Sequence, residues 1–193
     1  RFEAAEETSE KVSLLREVAD LWETRGNDLR RALGALERAF ELAPEDGELR
    51  ADVERIAIQL DAWDDLADLY ERALASAEPL VQFELLTRLT EIHDGQRGDL
   101  RAALNCYQRL SELEPTDPKP LEAADELALL LGDWPALVEI LTKKTELSHD
   151  DFERAQLQRR IGDIRRDMLD DADGAIAAYE QALEVQGDDV SLL

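Results

Sequence analysis

Apolar residues recur every three or four positions along most of the chain, which is the spacing of one face of an α-helix. Residues 11–25 and 28–42 both follow this spacing, and Gly26-Asn27-Asp28 lies between them. Glycine can adopt the left-handed turn that ends a helix, and Asp28 can accept hydrogen bonds from the free N–H groups that start the next one. The pattern therefore predicts two helices joined by a tight turn.

The same pattern repeats along the chain. The segment Asp28–Ala32 recurs as Asp99–Ala103, and Trp63 recurs as Trp134 with the same spacing. A related segment, Asp171–Ala175, follows almost the same distance beyond the second copy. Equivalent positions fall, in chain order, at Ala32, Leu66, Ala103, Leu137 and Ala175, so that shorter and longer steps alternate. The repeating unit is thus about 35 residues long, in alternating short and long versions.

Ten helices in five hairpins are predicted. Their ranges are 11–25 with 28–42, 47–60 with 62–76, 79–94 with 99–113, 118–131 with 134–147, and 151–168 with 172–185. The corresponding repeats are 11–45, 46–78, 79–116, 117–149 and 150–187. Residues 1–10 are predicted to end a preceding repeat, and residues 188–193 to begin a following helix, so both ends are expected to lie within a continuing array.

The repeat resembles the tetratricopeptide repeat, a helix–turn–helix unit with small and aromatic residues at fixed positions. The first repeat matches at Val18-Ala19, Trp22, Ala32, Leu36, Ala39 and Pro44; the third at Leu89-Thr90, Ala103, Tyr107, Leu110 and Pro115; the fifth at Ile161-Gly162, Ala175, Tyr179 and Ala182. The resemblance implies an all-α fold, a right-handed α-solenoid of about five repeats with a concave groove lined by the first helix of each pair. Ala32, Ala103, Ala175 and the tyrosines at 70, 107 and 179 are interpreted as core.

Composition excludes several partner classes. The chain has 22 basic and 46 acidic residues, a formal net charge of −24, which disfavours nucleic acids and anionic membranes because both are polyanions. No apolar run approaches the roughly 18 residues that a membrane helix needs, so no membrane insertion is expected. Apolar residues make up 44% of the chain, which favours a folded protein. Most acids are interpreted as the solvated surface of the helices.

The residues that catalysis or metal binding would require are scarce. His93 and His149 are the only histidines, and their spacing to Cys106 matches no zinc site. No glycine-rich phosphate loop is present. His93 takes the place of Trp22 one period later, so it is predicted to be packed in the core. The sequence therefore predicts a protein that is not an enzyme and has no cofactor or metal.

A binding surface is predicted on the first helices, at one starting position per helix and at the third, seventh and tenth positions after it. We call these twenty positions the stripe: Ser13, Arg16, Asp20, Glu23; Glu48, Ala51, Arg55, Ile58; Glu84, Thr87, Glu91, Asp94; Lys119, Glu122, Glu126, Leu129; Gln156, Arg159, Asp163, Arg166. The first helix of the third pair, residues 79–94, stands out. Its stripe positions include the acidic residues Glu84, Glu91 and Asp94 and no basic residue. The residues predicted to contact a partner are Glu84, Glu91, Asp94, Arg55, Glu122, Glu126, Arg159 and Arg166.

Three functions remain open from the sequence. The first is a scaffold that binds a peptide or helix of a partner protein. A basic segment of the partner is favoured at the acidic helix 79–94. The second is self-association through exposed apolar ends, or an architectural spacer within a larger protein. The third, RNA binding, would need basic and stacking residues on the stripe, where no aromatic residue occurs.

Overall fold

The computed structural model describes the backbone of residues 2–187 and the side chains of residues 6–185, and within that range it is all-α with no strand. Its helices are α1 (Phe2–Thr24), α2 (Leu29–Leu42), α3 (Gly47–Gln59), α4 (Trp63–Leu74), α5 (Pro79–Glu91), α6 (Leu100–Leu113), α7 (Lys119–Leu131), α8 (Trp134–Leu147), α9 (Asp151–Asp167) and α10 (Ala172–Gly187). The ten predicted helices are confirmed, and most of their boundaries lie close to the predicted ones.

Two boundaries differ from the prediction. Helix α1 already begins at Phe2, so the structure places no helix end within residues 2–10. That segment contains neither glycine nor proline, and Lys11 donates to Glu7 one turn earlier at 2.8 Å, so the helix continues through it. Helix α5 passes into a π-helical turn, Ile92–Arg97, before Gly98 ends it. The predicted helix start at 188–193 lies outside the described residues.

Each hairpin turn contains one residue with a left-handed backbone. These residues are Asn27, Asp61, Gly98, Gly132 and Asp170, with φ between 47° and 66°. They succeed one another at the same intervals as the sequence repeat, so the turn is a repeated element of the structure. In the first turn, Asn27 and not Gly26 takes this conformation, which contradicts the prediction. Asparagine and aspartate tolerate it better than other side chains because they are short and polar.

The predicted aspartate caps are confirmed. Asp28 accepts from the backbone N–H of Arg31 and Asp99 from that of Ala102, both at 3.0 Å. Asp133 and Asp171 do the same in the fourth and fifth hairpins. The second hairpin differs, because Ala62 stands at its cap and Trp63 donates its indole N–H to Asp61 instead, at 2.6 Å.

The chain divides into two compact units, residues 1–98 and 99–193. In the first unit each helix contacts the next, from α1 through α5. The interior holds fully buried Phe40, Leu49, Val53, Ile56 and Leu69, and the rings of Phe40 and Tyr70 lie 5.7 Å apart. Burial of these apolar side chains is the main stabilising contribution in such a stack.

In the second unit, α6 through α10 also contact one another in order. Its core is formed by Leu104, Leu121, Ala124, Ala128, Leu137, Val138, Ile140, Leu141, Leu157, Ile161, Ile164 and Ala178. Tyr107 packs against this core but is only half-buried, as is Tyr179, so the prediction that all three tyrosines are buried holds for Tyr70 alone. The three small residues at 32, 103 and 175 are buried as predicted.

Candidate binding surface on the first helices

The stripe is accessible in both units. All twenty stripe side chains belong to the described range, and each is exposed or half-buried. Their helical positions explain this, because they lie away from the residues that pack against neighbouring helices.

In residues 1–98 the stripe lines a row of surface depressions. The first, about 520 Å³ in volume, is bordered by Arg16, Asp20 and Glu23 of α1 and by Arg55 of α3. A second lies between α3 and α5 and is lined by Ala51, Glu84 and Thr87, among others. A third is lined by Ile58 and Glu91 and shares Glu54 and Arg88 with the second. Most stripe positions of this unit therefore border one of these three depressions.

Ion pairs join the first helices of successive repeats across this surface. Arg55 forms two hydrogen bonds to Glu23, at 2.6 and 2.9 Å, and Arg50 donates to Glu84 at 2.5 Å. Arg16 donates to Asp52 at 2.9 Å. Each of these pairs spans 32 to 36 residues, about one repeat. Surface ion pairs contribute little stability individually, but they fix the direction in which long side chains point.

Ion pairs between second helices have the same spacing. Arg72 donates to Glu41 in the first unit, 31 residues away. In the second unit, Arg101 donates to Asp133 and Lys143 to Glu112, over 32 and 31 residues. The interpretation of most acids as solvated surface therefore needs one addition: several of them also bind an arginine or lysine about one repeat away.

The predicted partner-binding residues differ in how they are engaged. Glu84, Arg55 and Glu91 are held by internal partners, and the partner of Glu91 is Arg88. Arg166 binds Asp167 at 2.7 Å and lies 5.9 Å above the Tyr179 ring. Within the described residues, no ion pair or side-chain hydrogen bond is found for the four remaining residues: Asp94, Glu122, Glu126 and Arg159.

Each unit holds one acid that binds an arginine one repeat away, half-buried Glu54 in the first unit and buried Asp125 in the second, and the sequence analysis missed both. Glu54 on α3 accepts from the Tyr70 hydroxyl at 2.7 Å and from two nitrogens of Arg88, at 3.0 and 2.5 Å. Burial alone would raise the pKa of Glu54, but the hydrogen bonds from Arg88 and Tyr70 outweigh it and hold the pKa below 4.5. Burial and the bond to Glu54 raise the pKa of Tyr70. We call this arrangement, an acid held by an arginine of the next first helix, the clasp.

The second clasp centres on Asp125 of α7. Arg160 of α9 donates to both of its oxygens, at 2.9 and 2.7 Å, and Lys144 of α8 donates at 2.9 Å. Burial would raise the pKa of Asp125, but Arg160 and Lys144 lower it below 3.8.

The two clasp acids occupy the same position of the repeat. Glu54 and Asp125 have the spacing of the two equivalent tryptophans at 63 and 134. In the long repeats this position holds Ala19, Thr90 and Gly162, which are all small. An acidic residue at a repeat position that otherwise holds small residues was the sequence signal that could have revealed both clasps.

The Glu54 clasp predicts a pH effect. Because folding depresses the Glu54 pKa, its stabilisation is complete above the ordinary value of 4.5 and is lost as the pH falls through the folded pKa. We expect the stability difference between the wild type and Glu54→Gln, measured by urea unfolding, to shrink as the pH falls below 4.5. Protonation of other carboxylates at low pH reduces the net negative charge of both proteins in the same way, so the difference between them does not contain that effect.

Glu45→Gln is the matched control for this measurement, since Glu45 is an exposed acid in the loop after α2. The stability of this variant relative to the wild type should vary little over the same pH range. If the curve for Glu54→Gln is as flat as the control curve, the clasp does not contribute through its charge.

The structure also locates the remaining reactive side chains. His93 is buried, as predicted, and its Nδ1 lies 3.2 Å from Arg97, while His149 is exposed and Cys106 is buried. Among the described residues, no group of three or more histidine, cysteine, aspartate and glutamate side chains is arranged to hold a metal ion. None of the helices in that range is both long and apolar enough to span a bilayer.

Comparison with known proteins gives matches among solved structures. No family model matches the chain, and no curated protein matches it. The described residues form an all-α fold of successive helical hairpins. Among solved structures, it is similar to YrrB, described as a TPR protein with an unusual peptide-binding site, at 20% identity and a TM-score of 0.41 over 97% of this chain and 92% of that one.

Two further solved structures are similar over most of this chain. One is MamA, residues 41 to the end, from Desulfovibrio magneticus RS-1, with 15% identity, a TM-score of 0.39 and coverage of 92% of this chain and 96% of that one. The other is a tetratricopeptide repeat protein from Parabacteroides merdae, with 16% identity, a TM-score of 0.41 and coverage of 92% and 73%.

Proposed function

We propose that this helical-repeat chain is a non-enzymatic scaffold that binds a peptide or helix of a partner protein on the stripe of residues 1–98. The observation that carries the proposal is the set of three depressions along α1, α3 and α5, which nine of the twelve stripe residues of this unit help to line. Repeats of stacked helices form extended surfaces of this kind, which suit elongated ligands better than small molecules.

The ion pairs across the surface favour such binding. Arg55, Glu84 and Glu91 are already held by partners within the unit. Side chains that are ordered before binding lose less conformational entropy when a ligand arrives, so more of the contact energy appears as affinity.

The charge of the surface favours a basic partner segment. Asp94 is exposed and has no ion-pair partner among the described side chains, so a lysine or arginine of a ligand can bind it without breaking an internal pair. Glu84 and Glu91 would add to the negative potential around it. In the second unit, Glu122 and Glu126 offer a further acidic contact, and Arg159 and Arg166 would contact acidic groups of a ligand.

Selection from a displayed random peptide library tests the proposal directly. We expect enriched peptides to carry basic residues, and we expect binding to weaken as salt is added because exposed charges are screened. Asp94→Lys should weaken binding of a selected peptide by about tenfold in fluorescence anisotropy, equivalent to about 1.4 kcal/mol.

Asp68→Lys is the matched control, because Asp68 is an exposed aspartate on the second helix α4, away from the stripe. It changes the net charge equally and should leave affinity unchanged. A library that yields no binder, or two variants that weaken binding equally, would contradict the proposed surface.

A further inference from the structure

The third depression of the stripe is a small hollow where the ends of α3 and α5 meet the start of α4. Its apolar lining consists of buried Leu66 and Ile92, half-buried Trp63 and exposed Ile58. Its volume is about 160 Å³. A cavity of about 150 Å³ is large enough to hold a benzene molecule. The hollow therefore has room for one apolar side chain of leucine or phenylalanine size.

The charged side chains that line the hollow bind one another. Arg88 donates to Glu54 at 3.0 and 2.5 Å and also binds Glu91. The indole N–H of Trp63 is engaged as well, because it donates to Asp61. A lysine or arginine inserted here would compete with Arg88 for these carboxylates, whereas an uncharged apolar side chain leaves the bonds intact and gains from burial. The lining therefore favours an apolar occupant.

The lining of the hollow recurs along the chain. Seven of its eight residues have a counterpart of the same type in the second unit, 71 or 72 positions later. The pairs are Glu54/Asp125, Ile58/Leu129, Trp63/Trp134, Leu66/Leu137, Arg88/Arg160, Glu91/Asp163 and Ile92/Ile164. Packing of the repeats explains why the buried members recur. It does not explain Ile58 and Leu129, which are 52% and 51% exposed.

Ile58 and Leu129 also share a place on the stripe, since each is the last stripe residue of its helix. That position is apolar in the short repeats and charged in the long ones: Glu23, Ile58, Asp94, Leu129, Arg166. A ligand that lies across α3 and α5 thus meets an apolar position on the first of these helices and an acidic one on the second.

From the size, the lining and the recurrence of the hollow we infer that the partner segment inserts one apolar side chain, of leucine or phenylalanine size, beside Ile58. The inference rests on the proposed function of the stripe and specifies a residue type that the α3–α5 part of the stripe selects. The partner segment would therefore combine an apolar residue in the hollow with the basic residues proposed above.

Peptides selected from the displayed random library provide the first test. We expect them to share an apolar position in addition to basic ones. In one selected peptide, replacement of that apolar residue by alanine should weaken binding by about tenfold in fluorescence anisotropy, because buried apolar area is lost. Replacement by lysine is the sharper test, since it increases the attraction of the peptide to an acidic surface but removes the occupant of the hollow. Binding of the lysine peptide should also weaken.

Ile58→Gln tests the same contact from the side of the protein. Ile58 is exposed and glutamine is a better helix former than isoleucine, so folding should persist, as circular dichroism can verify. The variant should bind the original peptide about tenfold more weakly, and the alanine peptide should then lose less than about threefold, because both changes remove one contact. Leu42→Gln is the matched control: Leu42 is 43% exposed at the end of the second helix α2 and lines none of the three depressions, so affinity should not change.

Three results would overturn the inference and leave the proposed function in place. They are selected peptides with basic residues but no shared apolar position, a lysine peptide that binds more tightly than the original, and an Ile58→Gln variant that binds as tightly as Leu42→Gln. In each case peptides still bind and Asp94→Lys still weakens them. A library that yields no binder overturns both. A loss of affinity in Ile58→Gln without one in Asp94→Lys supports the hollow and contradicts the basic contact proposed above.

Discussion

Replacement of Phe40 by alanine is expected to lower the free energy of unfolding by about 3–5 kcal/mol. Phe40 is completely buried in the first unit, with its ring centroid 5.7 Å from that of Tyr70. Truncation removes most of an aromatic side chain from the core and leaves a cavity that the packed helices α2, α3 and α4 can only partly close. Urea unfolding followed by far-ultraviolet circular dichroism measures the loss.

Phe152→Ala provides the control within the same chain. Phe152 is 64% exposed at the start of α9, so the same atoms are deleted without opening an internal cavity. The free energy of unfolding of this variant should differ from that of the wild type by less than about 1 kcal/mol. Equal losses for the two variants would show that Phe40 is not enclosed as the structure describes.

Replacement of Asp125 by alanine is expected to cause the second largest decrease in the free energy of unfolding, about 2–3 kcal/mol. Asp125 is buried, and its carboxylate accepts hydrogen bonds from both Arg160 and Lys144. Without it, two cations would face each other with no counter-charge between them. The expected loss is below that for a fully buried pair, because the Arg160 side chain is 39% exposed and can turn toward water.

Glu126→Ala is the control for Asp125→Ala, because Glu126 follows it on α7 but is exposed and has no ion-pair partner among the described side chains. Its effect should lie within about 0.5 kcal/mol. A double-mutant cycle with Arg160→Ala isolates the pair, and a coupling energy near zero would show that the clasp does not stabilise the second unit.

The helices and their period were predictable from sequence because both are determined by local features. Apolar spacing, the capping aspartates at 28, 99 and 133, and prolines restricted to loops and helix starts all indicate the same boundaries. Five copies of one pattern reinforce each other, so an error in one copy is corrected by the others. The left-handed turn was misplaced by one residue, because asparagine at 27 and glycine at 26 both tolerate that backbone conformation.

The contacts across the surface were not predictable in the same way. A helical wheel identifies Glu54 as a polar residue on a mostly apolar face, but it does not show that Arg88 reaches it from 34 residues away. The stripe was located correctly as an exposed surface, yet its charges were counted as independent. In the structure, Glu84 and Glu91 are paired and Asp94 is not, and that difference depends on the packing of whole helices.

The alternation of the clasp has a consequence for how the length of this protein can change by duplication or by engineering. The clasp acids Glu54 and Asp125 both lie in short repeats. The arginines that bind them, Arg88 and Arg160, lie at equivalent positions of the long repeats that follow. Removal of a single repeat, for example the third, would bring Ala123 to Glu54 in place of the arginine that now holds it. The module that can be copied or deleted while each of these two carboxylates keeps its arginine is therefore a short repeat together with the long repeat that follows it.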